Sequence, residues 1–347
     1  MTTLGMRAAG DFRHQVLFYR GTEEYLEGVI PFIYAGLALD EPVAVIVPGP
    51  NLRFILAALG ADAEQVHPFD MMLVGRNPGR IIASVLLTFV DTYPAGRVRI
   101  VGEPVWAGRT AVEYPACAQH EALLNLAFAD RPVTILCPYD AGKLDATALA
   151  DAEATHPLLV DAGGERASSA YAPGRIITEY NRPFPPRPAP SLTFDATTLA
   201  QVRQLAREHA TGLGLVDDHT ELDLIVGELT ANSVTHGGGS GALRIWTEQG
   251  YLVCEVRDAG HITDPLAGRR PAGRHQLSGR GLLLVNYLAD LVRLHTTPQG
   301  TTVRVYLALP PPDAHPLTPL PHSRHSEPLW GAPLRYGGAL GPQWGSP

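Results

Sequence analysis

Short, continuous apolar runs alternate with longer runs of helical periodicity through the first half of this 347-residue chain. Val43–Val47 contains only valine, alanine and isoleucine, and residues 133–137 are uncharged throughout. A strand with one face in solvent alternates polar and apolar residues, so strands that are apolar at every position indicate a sheet covered on both faces. Because helix-like runs separate these strands, we predict a parallel α/β sheet with helices on both sides.

Ligands of such sheets bind at the carboxyl ends of the strands. The turn after Val43–Val47 reads Pro-Gly-Pro-Asn-Leu at residues 48–52, without the lysine and the serine or threonine of a phosphate-binding loop. Pro50 also removes a backbone amide that a phosphate would need. We therefore expect no nucleotide site in this half. The polar residues at the other strand ends are typical of helix caps when taken singly, whereas together they could line a small-molecule pocket.

Six short segments of the first half follow one another along the chain, and several of their polar residues lie at predicted strand ends. They are His14-Gln15-Val16-Leu17-Phe18-Tyr19, Gly75-Arg76-Asn77-Pro78, Gly102-Glu103-Pro104-Val105-Trp106, His120-Glu121-Ala122-Leu123-Leu124-Asn125, Cys137-Pro138-Tyr139-Asp140 and Thr155-His156-Pro157. In this order they resemble the MEDS sensory domain, a family named for methanogen and methylotroph regulators. The resemblance implies a RecA-like α/β fold that has lost its phosphate loop, and the sensing of a small molecule or a protein whose identity the sequence does not reveal.

Charge, cysteines and hydropathy narrow the function classes. The net charge is −8 with no basic block, which argues against binding to a nucleic-acid backbone. Cys117, Cys137 and Cys254 are unclustered and lie in apolar surroundings, so we interpret them as core residues of a reducing cytoplasm, not as a disulfide or metal framework. The sequence shows neither a signal peptide nor an apolar run of membrane-spanning length, and we expect a soluble, cytoplasmic protein.

A proline-rich stretch divides the chain. Between residues 172 and 190 the sequence contains six prolines, at positions 173, 183, 185, 186, 188 and 190. Such a composition predicts a stiff, extended linker at 173–190 that separates a sensory domain at 1–172 from a second domain at 191–309. The remaining 310–347 are rich in proline and glycine without periodicity, which predicts a disordered tail.

The second domain contains a helix-periodic run that ends in three glycines directly after His236. Glu228 and Asn232 are four residues apart in this run and therefore share one face of the helix. A carboxamide oxygen is a suitable ligand for Mg²⁺, and a carboxylate one turn away can orient a hydroxyl group or water for attack. Taken alone, a glutamate and an asparagine at this spacing more often lie on a solvent-exposed helix face without a function.

Three further motifs follow along the chain. A predicted strand runs into Asp258-Ala259-Gly260, in which the carboxylate can accept a hydrogen bond from an exocyclic amine, although the same residues also suit a plain turn. Gly279, Arg280 and Gly281 precede an apolar helix that starts at Leu282, and this arrangement exposes backbone amides to a phosphate. Thr301 and Thr302 begin a final alternating strand and would bring a hydroxyl group near a base.

Together and in this order, the four motifs resemble the GHKL ATP-binding fold of gyrase and histidine kinases. The sequences around Glu228 and Gly279 are most similar to the anti-sigma-factor serine kinases, whose motifs read Glu-Leu-x-x-Asn-x-x-x-His-Gly and Gly-Arg-Gly-Leu-x-Leu-Val. The resemblance implies an α/β sandwich with helices on one face of a mixed sheet, and ATP and Mg²⁺ as cofactors. It also implies these roles: Glu228 as the catalytic base, Asn232 as the Mg²⁺ ligand, Asp258 and Gly260 at the adenine, Gly279, Arg280, Gly281 and Leu282 at the phosphates, and Thr301 or Thr302 near the adenine.

The resemblance further implies a regulator of transcription that acts by partner switching. It would phosphorylate a serine or threonine of a STAS-type anti-sigma antagonist, sequester a sigma factor, or do both, and this branch commonly forms homodimers. Three alternatives stay open: a binding switch in which ATP only orders the loop at 262–278, an ATPase, and a histidine kinase-like signalling protein. Glu228 favours an enzyme, while His209 and His219 lack the sequence context of a histidine phosphoacceptor.

Overall fold

The structure, a computed structural model, describes residues 12–161, 164–213, 219–271 and 279–309. These residues form two β-sheets, one before and one after the proline-rich stretch. The tail at 310–347, for which disorder is predicted, lies outside the described residues. Among the described helices, none combines the length and the apolar character that a membrane crossing requires.

The first sheet contains seven strands and is parallel except at one edge. In chain order the strands are β1 (Arg13–Tyr19), β2 (Val43–Val47), β3 (Val66–Asp70), β4 (Val98–Gly102), β5 (Val133–Asp140), β6 (Leu158–Asp161) and β7 (Gly164–Ala167). Across the sheet the order is β3-β2-β4-β5-β1-β6-β7, and the antiparallel pair is β6 with β7. The predicted parallel sheet is confirmed, and the carboxyl ends of β1, β2, β4 and β5 meet at one edge.

Helices cover both faces of this sheet, as predicted. They are α1 (Gly21–Leu37), α2 (Gly49–Leu59), α3 (Met71–Val74), α4 (Pro78–Arg80), α5 (Leu87–Thr92), α6 (Tyr114–Ala127) and α7 (Ala146–Thr155). Strand β2 is buried at all five positions: its three valines pack against α1 and α2, and Ala44 and Ile46 are buried on the opposite face. The chain between α4 and α5 is also helical, with Ile81–Leu86 in π-helical conformation before the chain continues as α5.

The second sheet contains five strands, and every neighbouring pair is antiparallel. They are β8 (Ser191–Asp195), β9 (Ser240–Glu248), β10 (Tyr251–Asp258), β11 (Leu291–Thr297) and β12 (Gly300–Ala308), in the spatial order β11-β12-β10-β9-β8. This pairing differs from the mixed sheet that the resemblance implies. Strand β11 does run parallel to β10, as a connection through one helix requires, but β12 lies between them and is antiparallel to both.

Three helices pack on one face of the second sheet, which confirms the predicted sandwich. They are α9 (Leu199–Gly212), α10 (His219–His236) and α11 (Gly281–Leu288). Val202 of α9, Ile225 of α10 and Val285 of α11 are fully buried in one core with inward side chains of β9, β10 and β12.

The first part of the predicted linker is helical, so the prediction of an extended chain over all of 173–190 is wrong. Pro173–Glu179 forms α8, which begins with a proline because the first helical turn does not need that N–H group. Ile176 and Tyr180 pack against α6 and α7 of the first domain, and this burial stabilises the helix. Residues 181–190 have no regular secondary structure.

Candidate nucleotide-binding site

Glu228 and Asn232 of α10 meet the glycine loop that precedes α11. A Cβ atom placed on Gly281 would lie 2.6 Å from Glu228 Oε2, closer than Cβ atoms approach other atoms in proteins, and 3.0 Å from Asn232 Nδ2, which is tighter than most such contacts. Any other residue at position 281 would therefore displace the side chains on which the predicted chemistry depends. The structure thus brings together the predicted base, the predicted Mg²⁺ ligand and the start of α11 at the glycine loop.

The Asp258 carboxylate lies at the end of β10 and is held by two hydrogen bonds. Ser233 Oγ donates to Asp258 Oδ2 at 2.6 Å, and the backbone N–H of Gly260 donates to Oδ1 at 2.8 Å. Gly237 allows α10 to approach, since a Cβ atom there would lie 2.5 Å from the Asp258 carboxyl carbon. Ser233 follows Asn232 directly and is fully buried, and the sequence analysis did not assign it a role.

Thr301 and Thr296 connect the last two strands to the loop after β10. Thr301 Oγ1 donates to the carbonyl oxygen of Gly260 at 2.8 Å and lies 2.8 Å from Thr296 Oγ1, which accepts a hydrogen bond from the Ile262 N–H. Thr302 lies on the opposite face of the sheet, because successive residues of a strand point to opposite sides. Of the two predicted threonines, only Thr301 therefore lies on the side of the sheet that faces the candidate site.

These elements enclose a cavity of about 380 Å³, within the range of roughly 300–1,000 Å³ that is typical of small-molecule sites. The predicted residues that line it are Asn232, Asp258, Gly260, Gly279, Gly281, Leu282 and Thr301. Glu228, Arg280 and Thr302 are not among the described lining residues: Glu228 lies against Gly281, and Arg280 is exposed at the N-cap of α11.

The described part of the loop at 262–278 forms one wall of this cavity. Arg270 pairs with Asp264 at 2.7 Å, and Asn286 of α11 donates a hydrogen bond from Nδ2 to the carbonyl oxygen of Gly268 at 3.0 Å. Gly268 has a φ of +71° and lies too close to Leu282 for a side chain. This wall is therefore attached to the helix that begins at the glycine loop, while residues 272–278 lie outside the described residues.

Two protein families match the chain, and the two matched ranges do not overlap. The family described as MEthanogen/methylotroph, DcmR Sensory domain (MEDS) matches residues 13–157. The family described as Histidine kinase-like ATPase domain matches residues 192–307. The chain joins a MEDS domain to a histidine kinase-like ATPase domain. A search of curated proteins finds no match.

Solved structures of histidine kinases are similar to part of the chain. The catalytic domain of the histidine kinase ThkA is 14% identical, with a TM-score of 0.23, over 34% of this chain and 95% of that domain. The histidine kinase AdeS of Acinetobacter baumannii is 10% identical, with a TM-score of 0.22, over 36% of this chain and 70% of that one. Histidine kinase-like ATPase domains, the family that residues 192–307 match, bind ATP, typically with Mg²⁺. The cavity, the glycine loop and the Asp258 carboxylate fit such a ligand.

The MEDS domain contacts the ATPase domain at α11. Asn77, which is fully buried, donates from Nδ2 to the carbonyl oxygen of Asn286 at 2.8 Å and accepts hydrogen bonds at Oδ1 from the N–H groups of Gly79 and Val292. Arg76 forms an ion pair with Asp290. The Gly75-Arg76-Asn77-Pro78 motif of the MEDS domain therefore holds the far end of the helix that begins at the glycine loop.

Replacing Asn77 with alanine is expected to reduce the free energy of unfolding by about 2–3 kcal/mol, because several buried hydrogen-bonding groups lose their partner at once. Urea unfolding of the full chain measures this change. The matched control is Gln204→Ala, which removes an exposed hydrogen bond to Glu208 within α9 and is expected to cost less than about 0.5 kcal/mol. Equal losses in the two variants would contradict the role of Asn77 in holding the domains together.

A buried carboxyl group lies at the carboxyl edge of the MEDS sheet. Glu103 follows β4, is 1% exposed, and accepts hydrogen bonds from Asn51 Nδ2 and from the hydroxyl groups of Tyr19 and Tyr25. Burial raises the pKa of Glu103 to about 7, although these donors act in the opposite direction. This group therefore changes its charge near neutral pH.

The Glu103 carboxyl group makes the stability of the protein depend on pH in a defined direction. Because its pKa is higher in the folded chain than its ordinary value of 4.5, the folded state retains a proton between about pH 5 and 7, and stability contributed by this group is lost as the pH rises through 7. Glutamine cannot lose that proton. The stability of Glu103→Gln relative to the unmodified protein is expected to rise by up to about 3 kcal/mol between pH 5 and pH 8. Urea unfolding at several pH values measures this difference, and parallel pH profiles would contradict it.

Proposed function

We propose that this protein is a signal-responsive, ATP-dependent protein kinase that phosphorylates a serine or threonine on a STAS-type anti-sigma antagonist. The observation that carries the proposal is the contact of Glu228 and Asn232 with Gly281. In this proposal the Asn232 carboxamide holds Mg²⁺ at the phosphates. The Glu228 carboxylate, one helical turn away, accepts a proton from the acceptor hydroxyl group.

The surroundings of His209 favour a serine or threonine acceptor over a histidine of the chain itself. A phosphoacceptor histidine of a sensor kinase needs a helix that stands apart from its ATPase domain. His209 lies in the last turn of α9, and α9 packs through Val202 and Ala206 into the core of the ATPase domain. Of the described elements before β8, the nearest helix is α8, which packs instead on the MEDS domain.

The contact between the domains supports regulation by the MEDS domain. Asn77 binds Asn286, and Asn286 binds the carbonyl oxygen of Gly268 in the wall of the cavity. A signal that moves the Asn77 segment would therefore shift α11 and, with it, the glycine loop and the wall. We propose that the conformation of the MEDS domain, which the signal changes, sets the rate of phosphoryl transfer.

The test uses purified full-length protein, γ-labelled ATP and Mg²⁺, with STAS-domain proteins encoded in the same genome as candidate acceptors. Label on a serine or threonine of one candidate, absent when that residue is replaced by alanine, is the expected result. Label on a histidine of the chain itself would contradict the proposal in favour of a histidine kinase. ATP binding without transfer to any candidate would favour a switch in which the nucleotide only changes partner affinity. Release of inorganic phosphate alone would favour an ATPase.

A further inference from the structure

Four side chains that could bind a metal ion meet inside the MEDS domain. They are His14 of β1, Glu121 of α6, Cys137 of β5 and His156, which directly follows α7. One donor atom from each lies within 4.8 Å of all the others, and all four residues are at most 1% exposed. This cluster lies apart from the nucleotide site and has no part in the proposed phosphoryl transfer.

Four of the six distances between the donor atoms match the edges of a tetrahedral zinc site, and the other two are at most 4.8 Å. Glu121 Oε2 is 3.1 Å from His14 Nε2 and 3.3 Å from His156 Nε2. Cys137 Sγ is 3.5 Å from both His14 Nε2 and Glu121 Oε2. Zinc bonds of about 2.0–2.1 Å to nitrogen or oxygen and about 2.3 Å to sulfur place neighbouring ligands of a regular tetrahedron about 3.3–3.6 Å apart. The observed distances fall close to this range on each of these four edges.

Hydrogen bonds on the far side of both imidazole rings direct their Nε2 atoms to the centre of the cluster. His156 Nδ1 lies 2.8 Å from the carbonyl oxygen of Ala152, which can only accept, so Nδ1 carries the proton. His14 Nδ1 lies 3.3 Å from Asn125 Oδ1, and the Asn125 amide is fixed in that orientation because its Nδ2 donates to the Thr155 carbonyl oxygen. In neutral rings both Nε2 atoms therefore present lone pairs, the arrangement in which metal-binding histidines are held.

The cluster has too few protons for its acceptors. Two imidazole lone pairs and a carboxylate face one another, with the Cys137 thiol as the one remaining donor. Within the described residues, His156 Nε2 and Glu121 Oε1 make no hydrogen bond. Buried polar atoms nearly always have a partner, and charging an imidazole at a fully buried position is unfavourable. A cation at the centre removes the repulsion between the imidazole lone pairs and the carboxylate, and it gives each of these acceptor atoms a partner.

We propose that His14, Glu121, Cys137 and His156 bind one Zn²⁺ ion in tetrahedral coordination. Two nitrogens, one sulfur and one oxygen suit zinc, and four protein ligands leave no open position, which makes this a structural site. The ion would connect β1 and β5 of the sheet to α6 and to the end of α7. The first turns of α6 also reach the ATPase domain, where Ala116 packs against Val253 and Tyr306. Zinc therefore stabilises the part of the MEDS domain that supports the contact between the domains.

The test measures metal in full-length protein that is purified without a metal-affinity tag and without chelators. About one zinc per chain is expected by mass spectrometry of the digested protein, and less than about one fifth of this in Cys137→Ser and His156→Ala. Cys117→Ser is the matched control, since Cys117 is an equally buried cysteine of the same domain that lies outside the cluster. It is expected to keep its zinc. Circular dichroism shows which variants are folded.

Cobalt substitution tests the coordination even where a variant fails to fold. The unmodified protein loaded with Co²⁺ is expected to show the intense visible absorption of a tetrahedral ion and a thiolate-to-cobalt charge-transfer band in the near ultraviolet. A folded protein that binds neither zinc nor cobalt stoichiometrically would overturn the proposal and leave a network of hydrogen bonds in its place. Equal metal loss in folded Cys117→Ser and Cys137→Ser would overturn it as well, and stoichiometric iron would overturn the assignment of zinc.

Discussion

Replacing Asp258 with asparagine is expected to weaken ATP binding about 30- to 150-fold, which corresponds to about 2–3 kcal/mol. The carboxylate faces the cavity and is fixed by Ser233 Oγ and the Gly260 N–H, so it accepts a further hydrogen bond without paying an ordering cost. Asparagine has the same shape, but one of its two oxygen acceptors is replaced by an NH₂ group. It therefore cannot accept hydrogen bonds from Ser233 Oγ, the Gly260 N–H and the exocyclic amine in the way that the carboxylate does. An exocyclic amine in the cavity would then face another donor.

Isothermal titration of the full-length protein with a non-hydrolysable ATP analogue and Mg²⁺ measures this loss. Asp195→Asn is the matched control, because Asp195 ends the edge strand β8 of the same sheet and is exposed. We expect it to bind the analogue as the unmodified protein does. If Asp258→Asn binds ATP with unchanged affinity, the adenine does not lie at Asp258, and the placement of the nucleotide in this cavity is wrong.

The central parallel strands were predictable because burial on both faces leaves a strong pattern in the sequence. In β2 and in the first part of β5 every residue is uncharged, and the structure buries them all. The edge strand β7 has no such pattern, since all four of its residues are exposed and include Glu165 and Arg166. Its pairing with β6 depends on backbone hydrogen bonds, to which side-chain composition gives little guidance.

Helix α8 illustrates a different limit. The proline content of 173–190 indicates a linker, but proline in a first helical turn is neutral, and the tertiary contacts of Ile176 and Tyr180 decide the conformation. The antiparallel pairing of the second sheet was equally hidden. The sheet is antiparallel because β12 lies between β10 and β11, and this order of strands is not encoded in hydrophobic periodicity.

In the candidate site, predictions from local motifs placed Glu228 and Asn232 on one face of a helix, and the structure places both against Gly281. Ser233 was missed because its partner, Asp258, is 25 residues away in the chain. The available signal in the sequence was a serine directly next to a predicted metal ligand. Cys137 shows the same limit more strongly: a lone cysteine in apolar surroundings is typical of a core residue, and its proximity to His14, Glu121 and His156 exists only in the folded chain.

Replacing Glu228 with glutamine is expected to slow phosphoryl transfer to the acceptor protein by about 10²- to 10⁴-fold, the range that a general base contributes. Binding of ATP is expected to change less than about threefold, because Glu228 lies against Gly281 without lining the described cavity. Glutamine keeps the size of the side chain, so the close packing at Gly281 is preserved while the ability to take up a proton is lost. Asn232→Ala should differ from it by weakening the binding of Mg²⁺ with ATP as well.

Single-turnover transfer from γ-labelled ATP, measured beside analogue binding, separates the two effects in Glu228→Gln. Glu208→Gln is the matched control, since Glu208 lies on the exposed side of α9 in the same domain and is expected to keep both properties. Transfer that survives in Glu228→Gln would contradict its role as the base and would leave positioning as the main source of rate, as phosphoryl transfer permits. Loss of binding together with transfer would instead show that Glu228 orders the Gly281 loop, and the carboxylate would then act on the shape of the phosphate site, not on the proton of the acceptor.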